Sequence, residues 1–491
     1  MNTEKLDKAR KYEHEYGKSV LDSERPIYHV TGMTGWINDP NGFSEYKKEY
    51  HLFYQHYPYA NEWGEMHWGH VKSKDFITWE RLPVALAPDE IYDQDGCFSG
   101  SALELNNGEQ LIIYTGVQEN IDALGKKKRY QTQCIAIGDG RDYKKYRQNP
   151  VISQDDLPEG ADPLEFRDPK IWFEEGFFYV VTANKMNSGS VFLHRSKNLL
   201  HWEFCSILDS SLGELGNMWE CPDFFSLNGK QILLISPVGM KTNGEDFHPG
   251  HGTICCIGEY DKGNYSFKRE NHHLIDYGID FYAPQTMKTS DGRRIMIGWM
   301  QAWSTSTFVP EEAKYFGQMT VPRELTVVNG KLYQNPVREL KNYRQAKVDY
   351  FDVEISNEEL TLDKIEGRVI DLTVELLDIK QFHQFVIQIA CDEENRTLLR
   401  YDTDRNKLCV DRSGSGFSHD IVHMREITIK PVKDKLKLRI LLDRYSMEIF
   451  LNDGEKAATF TIYTPQSASG IKFVSDGRAH INIEKYSLNK K

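Results

Sequence analysis

Five times along the first two thirds of the chain the same order of polar and hydrophobic positions recurs. A short polar or acidic motif is followed by an apolar stretch, a turn bearing Gly or charge, and a second, strongly apolar run. The repeats occupy residues 38–55, 98–116, 166–183, 219–237 and 281–299. The second runs (Ile112-Ile113-Tyr114, Phe178-Tyr179-Val180-Val181, Ile232-Leu233-Leu234-Ile235) carry β-branched and aromatic residues, which predicts strands rather than helices. With Asp39, Ser99, Asp168, Glu220 and Tyr282 as markers, the intervals are 60, 69, 52 and 62 residues. Strand pairs repeating at that period predict an all-β chain whose first domain is a five-bladed β-propeller with long loops.

From about Val348 the pattern changes to shorter, alternating strands. Residues 435–464 keep a period of two and contain Asn452-Asp453-Gly454, a hairpin turn. This predicts a C-terminal β-sandwich over 348–491. A charged, Pro-bearing linker at 336–347 would join it to a propeller spanning 26–335. Residues 1–25 form a charged helical extension, with Leu6, Ala9, Tyr12 and Tyr16 on one face.

Composition narrows the partners. A chain of 491 residues is long enough for two domains. Its net charge of −13 argues against nucleic acid or an anionic membrane as partner. The one basic run, Lys126-Lys127-Lys128-Arg129, reads as a solvated loop between strands. No apolar run approaches the roughly 20 residues of a membrane span. The first 17 residues are highly charged and lack the apolar core of a signal peptide. Eight cysteines without C-x-x-C spacing give no zinc site and, with the rest, favour a reduced, cytoplasmic protein. His67 and His70 would share a metal only on a helix, and the sequence there reads as strand and turn. No metal or cofactor is expected. Trp68 and Trp79 read as core.

If each motif opens the innermost strand of its blade, all five converge on one end of the central channel. Asp39, Asp168 and Glu220 would then face each other across a funnel. Asp39 stands between two amides, behind Trp36, in a turn fixed by Pro40 and Gly42. The small residues around Ser99 would let a ligand approach the backbone. Arg167 and Asp168 should project to opposite faces of their strand unless it is bulged. Glu220 has apolar sequence neighbours, a setting that raises a carboxyl pKa and suits a general acid.

Together, Trp36-Ile37-Asn38-Asp39-Pro40-Asn41-Gly42, Phe98-Ser99-Gly100-Ser101-Ala102, Phe166-Arg167-Asp168-Pro169-Lys170, Trp219-Glu220-Cys221-Pro222-Asp223 and Phe281-Tyr282-Ala283-Pro284-Gln285 resemble the motifs of glycoside hydrolase family 32. The stretch Asp443 to Gly454 resembles that family's C-terminal sandwich, so the resemblance covers nearly the whole chain. It implies a propeller followed by a sandwich, and a retaining mechanism on terminal β-D-fructofuranosides. It implies Asp39 as nucleophile, Glu220 as acid/base, and Asp168 as the carboxylate on the fructosyl hydroxyls. Implied substrate contacts are Asn38, Gln55, Trp63, Phe98, Ser99, Arg167, Tyr282 and Trp303. Ile37 stands where Met or Leu is frequent, an apolar swap away from the chemistry.

The expected substrates are sucrose and short fructo-oligosaccharides. The alternative is sucrose 6-phosphate, for which Lys126 to Arg129 and Lys241 would be the phosphate-binding candidates. An arabinofuranosidase and a sugar-binding propeller without turnover are the other readings. The sandwich is expected to be structural, covering a propeller face or forming a homo-oligomer contact.

Overall fold

The computed structural model describes residues 3–121, 125–244, 250–305, 313–416 and 422–490. The N-terminal helix Glu4–Tyr16 is capped by Thr3, whose hydroxyl accepts from the Leu6 N–H. Leu6 and Ala9 bury against Val84 and Ala87. The third buried residue is Glu13, paired with His56 at 2.9 Å, while Tyr16 is exposed. The expected Tyr16 face is therefore displaced. Glu13 lies about 20° from Leu6 around a helix of 3.6 residues per turn and sits at the centre of the contact face.

Five antiparallel sheets follow in chain order. Their first strands are Gly35–Tyr46, Gly96–Glu104, Phe166–Glu174, Met218–Leu227 and Tyr282–Lys288. Each first strand packs on the next, and the fifth packs back on the first, so the sheets close into a ring. The closure is reinforced by Tyr315–Phe316, which pairs parallel to Gly35 and Trp36. The Met319 N–H donates to the Val30 carbonyl across the same seam, at 2.9 Å.

The basic run is not a loop. Lys127, Lys128 and Arg129 begin the strand Lys127–Gly138, paired through twelve residues with Gln110–Ile121. The expected linker is also compact: Lys331–Pro336 ends the fifth sheet and a short helical turn, Arg338–Tyr343, buries Leu340. The next strand, Arg344–Ser356, starts four residues before Val348 and, at 13 residues, is long rather than short.

The C-terminal part is two six-stranded sheets packed face to face. Leu436, Leu438 and Ile440 point inward between outward Lys437 and Arg439, the alternation a half-buried strand requires. Asn452, Asp453 and Gly454 all take positive φ at the predicted hairpin turn.

Ring and sandwich meet through buried charge. Arg323, fully buried, donates to Asp276 (2.9 Å), Gln334 (2.7 Å), Glu448 and Thr459. His29 is held between Asp443 and Glu448, at 2.9 Å from each. Backbone bonds from Tyr277, Ile279 and Asp280 to Ala457 and Thr459 add a strand-like seam.

Candidate active site

Each sequence motif sits on a break in the ladder between its sheet's first two strands. Register shifts fall at Ile37/Pro40, Phe98/Gly100, Lys170/Arg167, Glu220/Asp223 and Tyr282/Gln285. In four of the five, a proline (Pro40, Pro169, Pro222, Pro284) removes the N–H that a regular ladder would use. Asp168, Cys221 and Ala283, each just before its proline, take positive φ. Such positions cost on the order of 1–3 kcal/mol each and concentrate at functional sites. In the second sheet Gly100 takes the proline's place. A Cβ there would lie 2.1 Å from the Ile113 carbonyl, so this glycine serves strand approach rather than ligand approach.

The bulges turn consecutive side chains onto one wall. Arg167 and Asp168 both line the cavity, because the strand is bulged between them and their partners. The breaks also correct the register of the repeat. Glu220 and Tyr282 are equivalent to Asn38, Phe98 and Arg167, whereas Asp39, Ser99 and Asp168 are equivalent to Cys221 and Ala283. Two tiers result. In one, Ser99 Oγ donates to Asp39 (2.7 Å), and Cys221 offers its Sγ to Asp39 (3.4 Å) and its N–H to Asp168 (3.0 Å). In the other, Arg167 donates to one Glu220 oxygen (2.9 Å from Nη2) and the Tyr282 hydroxyl to the second (2.6 Å).

The cavity holds about 560 Å³. On its wall are Asn38, Asp39, Gln55, Trp63, Phe98, Ser99, Arg167, Asp168, Glu220 and Trp303. Tyr282 is not on the wall; its ring is fully buried and reaches the cavity only through Glu220. Trp63 is half exposed and packs edge-on against Phe98, while Trp303 stacks on Trp36. Below the site the channel is filled by polar groups. Lys170 pairs with Asp223 at 3.2 Å, and Gln285 donates to the Gly100 carbonyl at 2.6 Å.

Electrostatics follow burial. Burial, and then the charge of Glu220, raise the Asp39 pKa to about 6 against the hydrogen bonds from Ser99, Asn38 and Cys221. Burial also raises Asp168, to about 7; Arg167 opposes this, and Glu220 and Asp39 add to it. The apolar surroundings expected for Glu220 are not present. Its carboxylate faces a guanidinium and a phenol, because the bulge turns it away from Trp219 and toward the next sheets.

Sequence reasoning missed Glu119, Gln131 and Glu165 on the wall. Gln131 had a readable signal, being in period-two register with Arg129 and Lys127. Of the proposed phosphate binders, Lys127 and Arg129 line the cavity; Lys126, Lys128 and Lys241 do not. His67 and His70 are buried, His70 against His51 (2.9 Å), and burial pushes both imidazoles well down. Among the described residues no cluster of three or more His, Cys, Asp or Glu could hold a metal ion. No described helix is long and apolar enough to cross a membrane.

Residues 29–336 match the profile for the glycosyl hydrolases family 32 N-terminal domain, and 339–489 that for the family 32 C terminal. The chain belongs to glycoside hydrolase family 32. A Zymomonas mobilis sucrose-6-phosphate hydrolase is 37% identical over 477 residues, covering 93% of this chain and 90% of that protein. An Escherichia coli raffinose invertase is 35% identical, with 90% of each covered. Among solved family 32 structures, a Bombyx mori β-fructofuranosidase variant in complex with sucrose superposes with a TM-score of 0.86. It is 33% identical and covers 100% of this chain and 99% of its own. This family 32 chain is a glycoside hydrolase.

Proposed function

We propose that the protein hydrolyses terminal non-reducing β-D-fructofuranosides with retention, releasing fructose from sucrose and short fructo-oligosaccharides. The observation that carries this reading is the meeting of Asp39, Asp168 and Glu220, with Arg167, on one wall of a cavity of sugar size. Asp39 attacks C2 of the fructosyl unit while Glu220 gives its proton to the departing glycosidic oxygen. The C2–O bond breaks and a fructosyl ester on Asp39 forms. Glu220 then takes a proton from water, which adds to C2 and frees Asp39. Asp168 accepts hydrogen bonds from the fructose hydroxyls and favours the oxocarbenium-like transition state over the ground state.

Asn38, Gln55, Phe98 and Ser99 line the fructosyl side in this reading, and Trp63 and Trp303 the mouth. Tyr282 acts through Glu220 by fixing its second oxygen. Arg167 fixes the first Glu220 oxygen, so the carboxyl is oriented from both sides toward the departing glycosidic oxygen. A sugar-binding protein without turnover is the weaker reading, since all three carboxylates are present.

In the same proposal the ring is a five-bladed propeller over residues 26–335. An N-terminal extension (1–25) precedes it, and a short connection at 336–347 leads to the sandwich at 348–491. Eight free cysteines fit a reducing, cytoplasmic setting. Assembly into a homo-oligomer would use the sandwich, where Phe351 on an edge strand is exposed.

Fructose release from equal concentrations of sucrose, sucrose 6-phosphate, 1-kestose and an arabinofuranoside tests the proposal, with Asp39→Ala as the blank. Release from one or more of the three fructosides supports it. Release from the arabinofuranoside alone, or from none, contradicts it.

A further inference from the structure

We propose that Glu13, on the N-terminal helix, is a positioning residue for the nucleophile: acting through His56 and Trp36, it fixes Asn38 against Asp39. This role rests on the fructosidase reading above. Leu6 and Ala9 bury the helix against Val84 and Ala87, and a third apolar residue would complete that face. The position holds Glu13 instead, with only 6% of its surface exposed. Burying a carboxylate costs stability unless it is paired, and an apolar residue of similar volume often serves packing as well. Glu13 also lies ahead of residues 29–336, the part that matches the family's N-terminal profile, so the family motifs do not account for it.

The partner of Glu13 points inward. Glu13 Oε1 lies 2.9 Å from Nε2 of His56, whose ring is fully buried, and His56 Nδ1 lies 2.9 Å from the Trp36 carbonyl oxygen. A carbonyl can only accept, so Nδ1 carries a proton and Nε2 faces the carboxylate. Glu13 and Nε2 then hold one proton between them, and the imidazole is fixed from both sides. The carbonyl it holds stands at the edge of the break in the first sheet. Trp36 and Ile37 pair with Tyr57 and His56, and the next pair is Pro40 with Tyr54. Asn38 and Asp39 have no partner across the ladder, so side chains must fix them.

The bonds continue from Trp36 to the nucleophile. The indole Nε1–H donates to Asn38 Oδ1 at 2.7 Å, and Asn38 Nδ2 donates to Asp39 Oδ1 at 3.1 Å. Stacking on Phe316 clamps the plane of the indole, with ring centroids 4.3 Å apart and 14° between the planes. Stacking alone leaves the ring free to slide within that plane, and the bond from His56 to the Trp36 carbonyl removes this freedom. Ser99 and Cys221 hold the other Asp39 oxygen, Oδ2. Glu13 therefore bears on one oxygen of the nucleophile and not on the other. The residues from Glu13 to Asp39 along this path are at most 8% exposed, so little water competes for its bonds. Without Glu13 the imidazole can turn, Trp36 can slide, and Asp39 loses its alignment with C2 of the fructosyl unit.

The test measures kcat and KM for sucrose, with the unfolding temperature, in the wild type, Glu13→Leu and Glu13→Gln. A glutamine can still bond to Nε2, and a leucine cannot. In Glu13→Leu kcat should fall on the order of tenfold with KM little changed, and Glu13→Gln should keep most of the wild-type rate. In a Trp36→Phe background, which lacks the indole N–H, Glu13→Leu should lower kcat little further. Should Glu13→Leu not fold, Glu13→Asp, one methylene short of His56, takes its place. The Trp36 indole signal in protein carrying isotope-labelled tryptophan gives a readout without turnover: it should move in Glu13→Leu and stay in Glu13→Gln. A folded variant with wild-type kcat, a glutamine variant no better than the leucine one, additive effects of the Glu13 and Trp36 changes, or an unmoved indole signal overturns the role of Glu13. Failure of the fructosidase reading looks different: the wild type releases no fructose, and the indole signal still decides whether Glu13 bears on Trp36.

Discussion

Among the described residues, three carboxylates meet at the cavity and three at the junction of ring and sandwich, and the two sets differ in what faces them. In the cavity, Arg167 reaches Glu220 and Asp168 and also serves Glu165, while Asp39 has only the neutral partners Ser99, Asn38 and Cys221. At the junction of ring and sandwich, Asp276, Asp443 and Glu448 face two cations, Arg323 and His29. The consequences have opposite signs. Burial wins in the cavity and raises Asp39 and Asp168. At the junction burial would also raise Asp443 and Glu448, but His29 and Arg323 hold both below the usual carboxylate range. Burial alone would lower His29, yet its two carboxylates lift it to about 9. The same side chains store unrelieved charge in one place and joined charge in the other. Reactivity goes with the first and cohesion with the second.

Arg323→Met attacks the cohesive cluster. It leaves Asp276 and Glu448 buried without their guanidinium and should cost roughly 3–5 kcal/mol of stability. Denaturant unfolding reads that loss. Adding Glu448→Gln should recover part of it, and strict additivity of the two changes would deny the coupling.

Asp39→Asn sharpens the contrast from the other side. A carboxyl whose folded pKa is raised binds its proton more tightly when folded, so stability falls as pH rises from its unfolded value of 3.8 to about 6. Replacing it with a neutral amide should stabilise the protein by on the order of 1–3 kcal/mol at neutral pH. Below about pH 4 the gain should vanish. His29 titrates in the opposite sense. Its raised folded pKa adds stability that is complete below 6.5 and lost as pH rises to about 9. His29→Gln should flatten the stability profile across that window, and unfolding curves at several pH values check both slopes. The smallest effect concerns rate. In the proposed mechanism Asp39 attacks in its ionised form, so kcat/KM should fall as pH drops below about 6.

Much of the site was readable because each motif is local. A proline or glycine next to a polar residue marks a bulge whatever the distant chain does, and five such marks imply convergence. What the motifs concealed was register. Asp168-Pro169 and Glu220-Cys221-Pro222 look like equivalent markers, yet the proline aligns Asp168 with Cys221 and puts Glu220 one position earlier, beside Arg167. The surroundings of Glu220 come from other sheets and could not be seen in its neighbours. The basic run was misplaced because its alternation resembles a charged turn unless Gln131 is included. The junction left no local trace at all. His29 and Arg323 are single residues whose partners lie 414 and 125 positions away. The compactness of the connection was not visible because a buried Leu340 and a long edge strand rich in exposed polar residues carry weak hydrophobic signals.

The most direct measurement is fructose release from sucrose by wild type and Asp39→Asn, with the unfolding temperature taken on the same samples. The account predicts release from the wild type only, and a variant that unfolds at a higher temperature at neutral pH. A folded Asp39→Asn that still releases fructose at the wild-type rate would contradict it.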